Sequence, residues 1–311
     1  MTSPRVSVVI PCYNHANYLQ DAIRSCLAQT YTNLEILVVD DGSTDNTKEI
    51  VSQFPQVQYL YQDNAGVGAA RNRGWRQAQG EFVQFLDADD YLLPTKLQRC
   101  LDAFGAAPDA GVVYTDYEIR TEDMCTQHPT QRPAWKMPEG EVLKCLIEQN
   151  TAFFVPACAL IRRELIELVH GFNESLHGTE DWYLWVSLAA CGVQFRYVPE
   201  LLVWYRQTLT GLSKQEVPLA YARLRAYEDL RLLPIPAGLI NFDDKLADRH
   251  HVMAVKLWRH GEPARAREHL VKAIQLQRSR RLARSLLWCF SFMMSLTTAE
   301  HILNQLRRVR A

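Results

Sequence analysis

The chain has 311 residues, of which 48% are hydrophobic and 22% are charged, with 14 Gly and 14 Pro. This composition excludes collagen-like, low-complexity and wholly disordered proteins, and the length predicts about two domains. The net charge of −1 conceals a basic end. Residues 245–311 hold 14 Lys and Arg against 4 Asp and Glu, whereas residues 1–244 hold 20 against 31. An acidic body with a basic tail indicates two parts with different roles.

The sequence contains neither a membrane-spanning apolar run nor a cysteine-based zinc motif. No apolar run reaches the roughly 18–20 residues that a membrane-spanning helix requires, and the first ten residues lack the features of a signal peptide. We therefore expect a cytoplasmic protein. The eight cysteines show neither a Cys-x-x-Cys pair nor zinc-site spacing. We expect eight free thiols, with Cys26, Cys100 and Cys191 buried in apolar segments.

Strands and helices are predicted to alternate through the first 105 residues. This alternation of strands and helices predicts an α/β fold with a mostly parallel sheet, whose ligands bind beyond the carboxyl ends of the strands. Ser43 or Thr44 is expected to cap the second helix. The apolar runs that predict buried strands are Val6 to Ile10, Leu34 to Val39, Val57 to Tyr61 and Glu81 to Leu86.

The remainder of the chain is predicted to change character twice. Residues 111–215 are less regular, with one predicted strand at Gly111 to Tyr114. From residue 216 onward all apolar spacing is helical, and a helical hairpin is predicted in Lys245 to Gln277, with its turn at His260 to Pro263.

Polar residues follow three of the predicted strands. The carboxylates of Asp87 and Asp89, one residue apart, suit Mg²⁺ or Mn²⁺ beside a diphosphate, or form a solvated turn. Asp41 either accepts a hydrogen bond from a nucleotide base or ribose, or belongs to a turn and helix cap. Tyr13 either stacks on a base or is a core aromatic residue.

Two further segments carry candidate chemistry. Glu180 and Asp181 begin a predicted helix, where acidic residues stabilise the helix dipole. The alternative makes one of them a general base, beside the aromatic Trp182. The loop Asn64 to Gly68 lacks dinucleotide-binding spacing, although together with Arg71 it is suited to approach phosphates.

Five segments, taken in order, resemble the inverting glycosyltransferases of family 2, of the type that builds bacterial surface polysaccharides. The resemblance covers residues 5–215 and implies a GT-A fold, a nucleotide-sugar donor and Mn²⁺ or Mg²⁺. It makes 1–110 the donor-binding half, 111–215 the acceptor-binding half and 216–311 an all-helical extension. The segments are VSVVIPCYN (Val6 to Asn14), VVDDGSTD (Val38 to Asp45), NAGVGAARNRG (Asn64 to Gly74), FLDADD (Phe85 to Asp90) and GTED (Gly178 to Asp181).

The resemblance also implies a role for each matching residue. Asp181 becomes the catalytic base, and an Asp with the ordinary pKa of about 3.9 is ionised at neutral pH and ready to accept a proton. Glu180 and Trp182 would shape the acceptor pocket. The donor-binding residues would be Pro11, Tyr13 stacking on the base, Asp41 bonded to the base, Arg71 near base or phosphates, Asp87 at the ribose or sugar, and Asp89 holding the metal.

The chain lacks the Gln-x-x-Arg-Trp motif of processive synthases. Trp204-Tyr205-Arg206, followed by Ser213, resembles the closing loop of non-processive members. We therefore expect transfer of one sugar, with a UDP-sugar favoured, to a glycan or lipid-linked acceptor. The alternatives are a non-catalytic nucleotide-sugar-binding scaffold with a partner-recruiting tail and a metal-dependent nucleotidyltransferase. A scaffold needs no base, and a nucleotidyltransferase needs no Glu180-Asp181 pair.

The basic tail contains an uncharged apolar stretch, residues 285–299. This stretch is too short to span a membrane. It suits either peripheral contact with an anionic membrane through residues 278–310 or packing against protein. No nucleic-acid-binding motif accompanies the basic residues, so we expect no nucleic-acid partner.

Overall fold

The computed structural model describes residues 4–124, 127–128, 137–149, 154–208 and 215–276. The chain forms two compact units, Met1–Leu212 and Ser213–Ala311. Over the described ranges, no helix is both long and apolar enough to cross a membrane. The tail segments 278–310 and 285–299, together with Ser213, Cys125 and Cys289, lie outside those ranges.

Nine strands are found in the described part of the first unit, and they form one sheet. The first four strands along the chain pair in parallel, in the order β3-β2-β1-β4. The strands are β1 (Val6–Cys12), β2 (Leu34–Asp41), β3 (Val57–Gln62), β4 (Phe82–Phe85), β5 (Tyr91–Leu92), β6 (Ala110–Arg120), β7 (Gln127–His128), β8 (Ala159–Arg162) and β9 (Gln194–Arg206).

The sheet continues beyond β4 with β8, β6, β9 and β5, while β7 pairs with β6. β8 is antiparallel to both β4 and β6, whereas β6 and β9 run parallel. The α-helices in the described part of the first unit are α1 (Ala16–Leu27), α2 (Thr47–Ser52), α3 (Val67–Gln77), α4 (Lys96–Ala106), α5 (Leu143–Gln149), α6 (Arg163–Leu168) and α7 (Glu180–Ala190). The α/β prediction is confirmed, with parallel pairing concentrated in the first half of the sheet.

Helix α3 packs closely on the central strands because it carries glycine at the contact. A Cβ atom on Gly74 would lie 2.2 Å from Cγ1 of Val9 in β1 and 3.2 Å from Cγ2 of Val39 in β2. Any larger side chain would force the helix away from the sheet. Gly74 therefore brings the rest of α3, including Arg71, close to the carboxyl ends of these strands.

Several predicted element boundaries differ from the structure, and two of them lie near the polar ends of the strands. β1 continues through Pro11 to Cys12, beyond the predicted run of Val6 to Ile10. Helix α2 begins at Thr47 with Asn46 at its N-cap, so neither Ser43 nor Thr44 caps it. The short polar run before the helix is used instead to bind the loop that follows β1.

Buried and exposed cysteines follow the packing of their helices. Cys26 of α1 and Cys100 of α4 are buried, as predicted. Cys191 is exposed, contrary to the prediction, because it is the C-cap residue that follows the last turn of α7.

The described part of the second unit contains three α-helices, α8 (Glu216–Asp229), α9 (Phe242–Arg259) and α10 (Pro263–Leu276). Helices α9 and α10 form the predicted hairpin. Gly261, with a φ of +79°, lies in its turn, a conformation that glycine adopts without strain. The buried core of this unit includes Ala220, Met253, Leu257 and Ala266.

Candidate active site

The turn that follows β4 presents the three acidic residues Asp87, Asp89 and Asp90. The backbone N–H of Asp90 donates to the carbonyl of Asp87 at 3.0 Å, which closes the turn. Asp90 is fully buried, and its Oδ1 atom accepts a 3.0 Å hydrogen bond from the backbone N–H of Arg206. The turn is therefore fixed to the end of β9, and sequence reasoning did not identify this contact.

Arg206 is the principal support of the acidic turn. Its Nε–H donates to the carbonyl oxygen of Asp89 at 2.8 Å, and its two amino groups reach the carbonyl of Glu122 at 2.7 Å and Oδ2 of Asp21 at 2.9 Å. The guanidinium also lies 4.6 Å from the ring centre of Tyr18. The side chain is only 4% exposed.

The predicted closing loop is not a loop at its start. Trp204, Tyr205 and Arg206 belong to strand β9, because they pair with β6, and Trp204 also pairs with β5. The ring of Trp204 stacks on Tyr91 with centroids 4.9 Å apart. The Trp-Tyr-Arg signal therefore marks a strand end that anchors the acidic turn.

The environment of Asp89 fits a divalent cation. Its carboxylate is partly exposed, and no side chain within the described ranges donates a hydrogen bond to it. Those ranges also contain no group of three His, Cys, Asp or Glu residues that would enclose a metal. Mg²⁺ and Mn²⁺ accept one carboxylate together with phosphate oxygens and water. A cation held by Asp89 and a bound diphosphate therefore suits the donor set.

Arg71 joins the acidic turn to helix α7. Its Nη2 atom donates to Oδ1 of Asp87 at 2.6 Å, and its Nη1 atom donates to Oε1 of Glu180 at 2.7 Å. Arg71 and Glu180 are both buried. Arg73 and Arg76, on the same helix, are exposed. The structure thus brings three predicted site residues into direct contact, although they are far apart in the sequence.

Asp181 follows Glu180 in the first turn of α7. Burial and the neighbouring charge of Glu180 raise the pKa of Asp181 to about 7, while Arg71 and the backbone N–H of Trp182 act in the opposite direction. The expectation of an ordinary Asp pKa is therefore wrong. A carboxyl that titrates near neutral pH is well matched to general-base catalysis.

The carboxylate of Asp41 orders the loop after β3. Its Oδ1 atom accepts hydrogen bonds from Nε2 of Gln62 at 2.7 Å and from the backbone N–H of Ala65 at 2.9 Å. Its Oδ2 atom accepts from the backbone N–H of Gly66 at 2.8 Å. Asp40 is bonded within its own region, to Ser43 and Tyr59. Both adjacent acids thus have structural partners.

Tyr13 lies on the surface and is 48% exposed, so it is not a core aromatic residue. The following residue, Asn14, has a positive φ of 54° and accepts a 2.8 Å hydrogen bond from the backbone N–H of Thr44. Its own N–H donates to Oγ of Ser43 at 3.0 Å. Asn14 therefore joins the loops after β1 and β2, a role that its position after Tyr13 did not reveal.

Two predicted site residues are buried inside the fold. Pro11 lies in β1 beyond its last pair with β4, where a missing N–H does not interrupt pairing with that strand. The indole N–H of Trp182 donates to the carbonyl of Leu146 at 3.1 Å and fastens α7 to α5. Trp182 thus supports the acidic start of α7 by packing.

The donor-side loop approaches the turn before α7. Gly66, with a φ of +93°, lies so near His177 that an added Cβ atom would be 2.9 Å from Cε1 of the histidine ring. Asp181 is four residues beyond His177 in the chain. The geometry therefore assembles one site from the ends of β1, β2 and β4, helix α3 and the start of α7.

Residues 7–169 match the family model described as glycosyl transferase family 2. The chain belongs to this family. An uncharacterized glycosyltransferase of Nostoc sp. is 40% identical over 190 residues, which cover 59% of this chain and 57% of the relative. Another, from Rickettsia prowazekii, is 33% identical over 235 residues, covering 73% of this chain and 70% of the relative. The match thus spans little more than half of the Nostoc protein.

Solved structures share the fold of this family 2 chain. The Staphylococcus aureus protein TarS, residues 1–349, in complex with UDP, aligns with a TM-score of 0.64 and 19% identity over 90% of this chain and 83% of the other. A mannosyltransferase of Pyrobaculum calidifontis in complex with GDP-Man and Mn²⁺ aligns with a TM-score of 0.57 and 20% identity, over 96% of this chain and 83% of the other. These similarities confirm the predicted GT-A-like fold.

Proposed function

We propose that this protein is an inverting glycosyltransferase that transfers one sugar from a nucleotide-diphosphate sugar to a hydroxyl group of a glycan or lipid-linked acceptor. One observation carries the proposal. The acidic turn at Asp87 and the half-buried Asp181, with its pKa of about 7, are joined through Arg71 and Glu180. A donor-side carboxylate and a base tuned to neutral pH are the two groups that such a transfer needs.

A UDP-sugar is the favoured donor. The exposed ring of Tyr13 is available to stack on a base. Asp41 orders the 64–66 loop at the same carboxyl-terminal edge of the sheet. Structural neighbours with UDP and with GDP-Man support a nucleotide-sugar donor of one of these two kinds.

Asp89 is the residue that would hold Mg²⁺ or Mn²⁺, with Asp87 beside it at the ribose or sugar. When bound there, the cation would neutralise negative charge that develops on the leaving diphosphate. The protein supports Asp89 through its backbone, because the Arg206 guanidinium holds the carbonyl of that residue at 2.8 Å. A fixed turn limits the reorganisation that donor binding requires.

Asp181 would act as the catalytic base. In its ionised form it accepts the proton of the acceptor hydroxyl while that oxygen attacks the anomeric carbon from the face opposite the diphosphate. The bond from the anomeric carbon to the diphosphate oxygen breaks in the same step, so the sugar is transferred with inverted configuration. Glu180, in the adjacent position, raises the pKa of Asp181 toward neutral pH, and Trp182 holds the start of α7 in place through its hydrogen bond to α5.

Calorimetry with UDP, GDP and dTDP, with and without Mn²⁺, tests the donor site. We expect UDP to bind more tightly with Mn²⁺ than without it, and the Asp89→Ala variant to lose most of that gain because it lacks the cation's carboxylate. Asp102→Asn is the control for loss of an acidic side chain. Because Asp102 is exposed on α4, we expect this variant to bind UDP as the wild type does. Metal-independent binding, or none for all three nucleotides, contradicts the proposed donor site.

A further inference from the structure

Arg71 is more buried than we would expect of a side chain that binds the nucleotide. Its side chain is 4% exposed, and its two terminal nitrogens are held by Asp87 and Glu180 at 2.6 and 2.7 Å. The guanidinium carbon also lies 5.3 Å from the ring centre of Phe172. Little of the guanidinium surface is left for a phosphate or a base.

The two carboxylates that Arg71 holds come from opposite sides of the site. Asp87 belongs to the turn after β4, on the donor side. Glu180 begins α7, and its second oxygen accepts a 2.6 Å hydrogen bond from the backbone N–H of Gly178. One guanidinium therefore fixes the acidic turn and the start of the base helix relative to each other, as its rigid fork of donors allows.

We propose that Arg71 is a positioning residue that couples the donor-side carboxylate of Asp87 to the helix that carries the catalytic base, rather than a ligand of the nucleotide. The inference rests on the proposed function and refines it. It reassigns Arg71 from contact with the base or phosphates to support of Glu180 and, through the chain, of Asp181.

The charges around Asp181 make this role measurable. Glu180 and Asp87 oppose ionisation of Asp181, whereas Arg71 favours it, and the backbone N–H of Trp182 donates to its carboxylate at 2.6 Å. Loss of the Arg71 charge should therefore raise the pKa of Asp181, and loss of the Glu180 charge should lower it. If Arg71 and Glu180 had only a packing role, replacing either of them would leave the pKa of Asp181 unchanged.

The test begins with UDP-GlcNAc, UDP-glucose and UDP-galactose, each with Mn²⁺, to find a donor from which the enzyme releases UDP. The pH dependence of kcat/KM is then measured with that donor. Because ionised Asp181 is the active form, kcat/KM should rise with pH and level off above an apparent pKa near 7. Arg71→Gln should move this acid limb up by about one pH unit or more, and Glu180→Gln should move it down.

Arg71→Lys separates charge from geometry. A lysine keeps the positive charge but has no fork to span both carboxylates, so we expect the acid limb to stay within about half a unit of wild type while kcat falls at least about tenfold. UDP affinity by calorimetry should change less than about threefold in all three variants. Loss of UDP binding in Arg71→Gln, or an acid limb that moves in neither glutamine variant, would overturn the inference.

A direct titration keeps the inference separate from the proposed function. Carboxyl ¹³C NMR of Asp181 in the full chain, without donor, reports its pKa in wild type, in Arg71→Gln and in Glu180→Gln. If no donor turns over in the wild type, the proposed function fails, yet opposite shifts of the Asp181 resonance in the Arg71 and Glu180 variants would still support the coupling. Should Arg71→Gln not fold, Glu180→Gln and Arg71→Lys decide the matter.

Discussion

Asp181→Asn is expected to lower kcat for UDP release by about 10²–10⁴-fold, the usual contribution of a general base. The amide has the shape of the carboxylate but takes no proton at neutral pH. Because Asp181 lies on α7 rather than in the acidic turn, Mn²⁺-dependent UDP binding should remain within a few-fold of wild type. Steady-state kinetics and calorimetry on the same preparation check both expectations.

Asp102→Asn is the matched control for this loss of charge, because Asp102 is exposed on α4 and bonded only to its helical neighbour Gln98. We expect its kcat to equal that of wild type. Unchanged turnover in Asp181→Asn would contradict the base assignment. If Asp181→Asn lost both UDP binding and turnover, the substitution would be shown to disrupt the donor site instead.

Asp181→Asn should also be more stable than wild type at alkaline pH. Asp181 has a pKa of about 7 in the folded protein, whereas the unfolded chain has the ordinary value of about 3.9. Between these values the unfolded state binds fewer protons, so stability falls as pH rises, and the full penalty is present above pH 7. Urea unfolding at pH 8 should favour Asp181→Asn, and near pH 4 the difference should shrink.

Arg206→Ala is expected to reduce the free energy of unfolding by about 3 kcal/mol, the scale for losing several hydrogen bonds to a buried charged group. The variant leaves the carbonyls of Asp89 and Glu122 without their donor and removes the cation over the ring of Tyr18. Because the acidic turn then lacks its support, Mn²⁺-dependent UDP binding should weaken at least about tenfold. Chemical denaturation and calorimetry measure the two effects.

Arg99→Ala is the control for Arg206. Arg99 also pairs with a carboxylate from another element, Glu200, but both side chains are substantially exposed. Exposed ion pairs contribute little to stability because water screens them, so this variant should retain its stability and its UDP affinity. Equal losses in the two variants would show that Arg206 has no special role at the acidic turn.

The strands and the acidic turn could be predicted from the sequence because they rest on local patterns. A continuous apolar run such as that of β2 predicts a buried parallel strand, and the Asp87-x-Asp89 pair stands directly after another such run. The hairpin of α9 and α10 was predictable for the same reason, since a glycine and a proline interrupt otherwise regular helical spacing. In each case the deciding residues are neighbours in the chain.

The partners of the charged residues could not be predicted, because they come from distant segments. Arg71 meets Glu180 across 109 residues, and Arg206 meets Asp21 across 185. The raised pKa of Asp181 follows from burial and from these neighbours, none of which its sequence position reveals. The Trp-Tyr-Arg segment forms a strand instead of the expected loop because it pairs with β6 and β5, and this pairing is likewise non-local.

The stereochemistry of donor cleavage tests the central proposal most directly. In the absence of a sugar acceptor, water can take the place of the acceptor hydroxyl. With the diamagnetic Mg²⁺ as the cation, ¹H NMR can then follow the sugar that the enzyme releases from an α-linked UDP-sugar. We predict that the β anomer appears first and that Asp181→Asn abolishes its formation. Release of the α anomer, or equal release by Asp181→Asn, would contradict an inverting transfer that depends on Asp181.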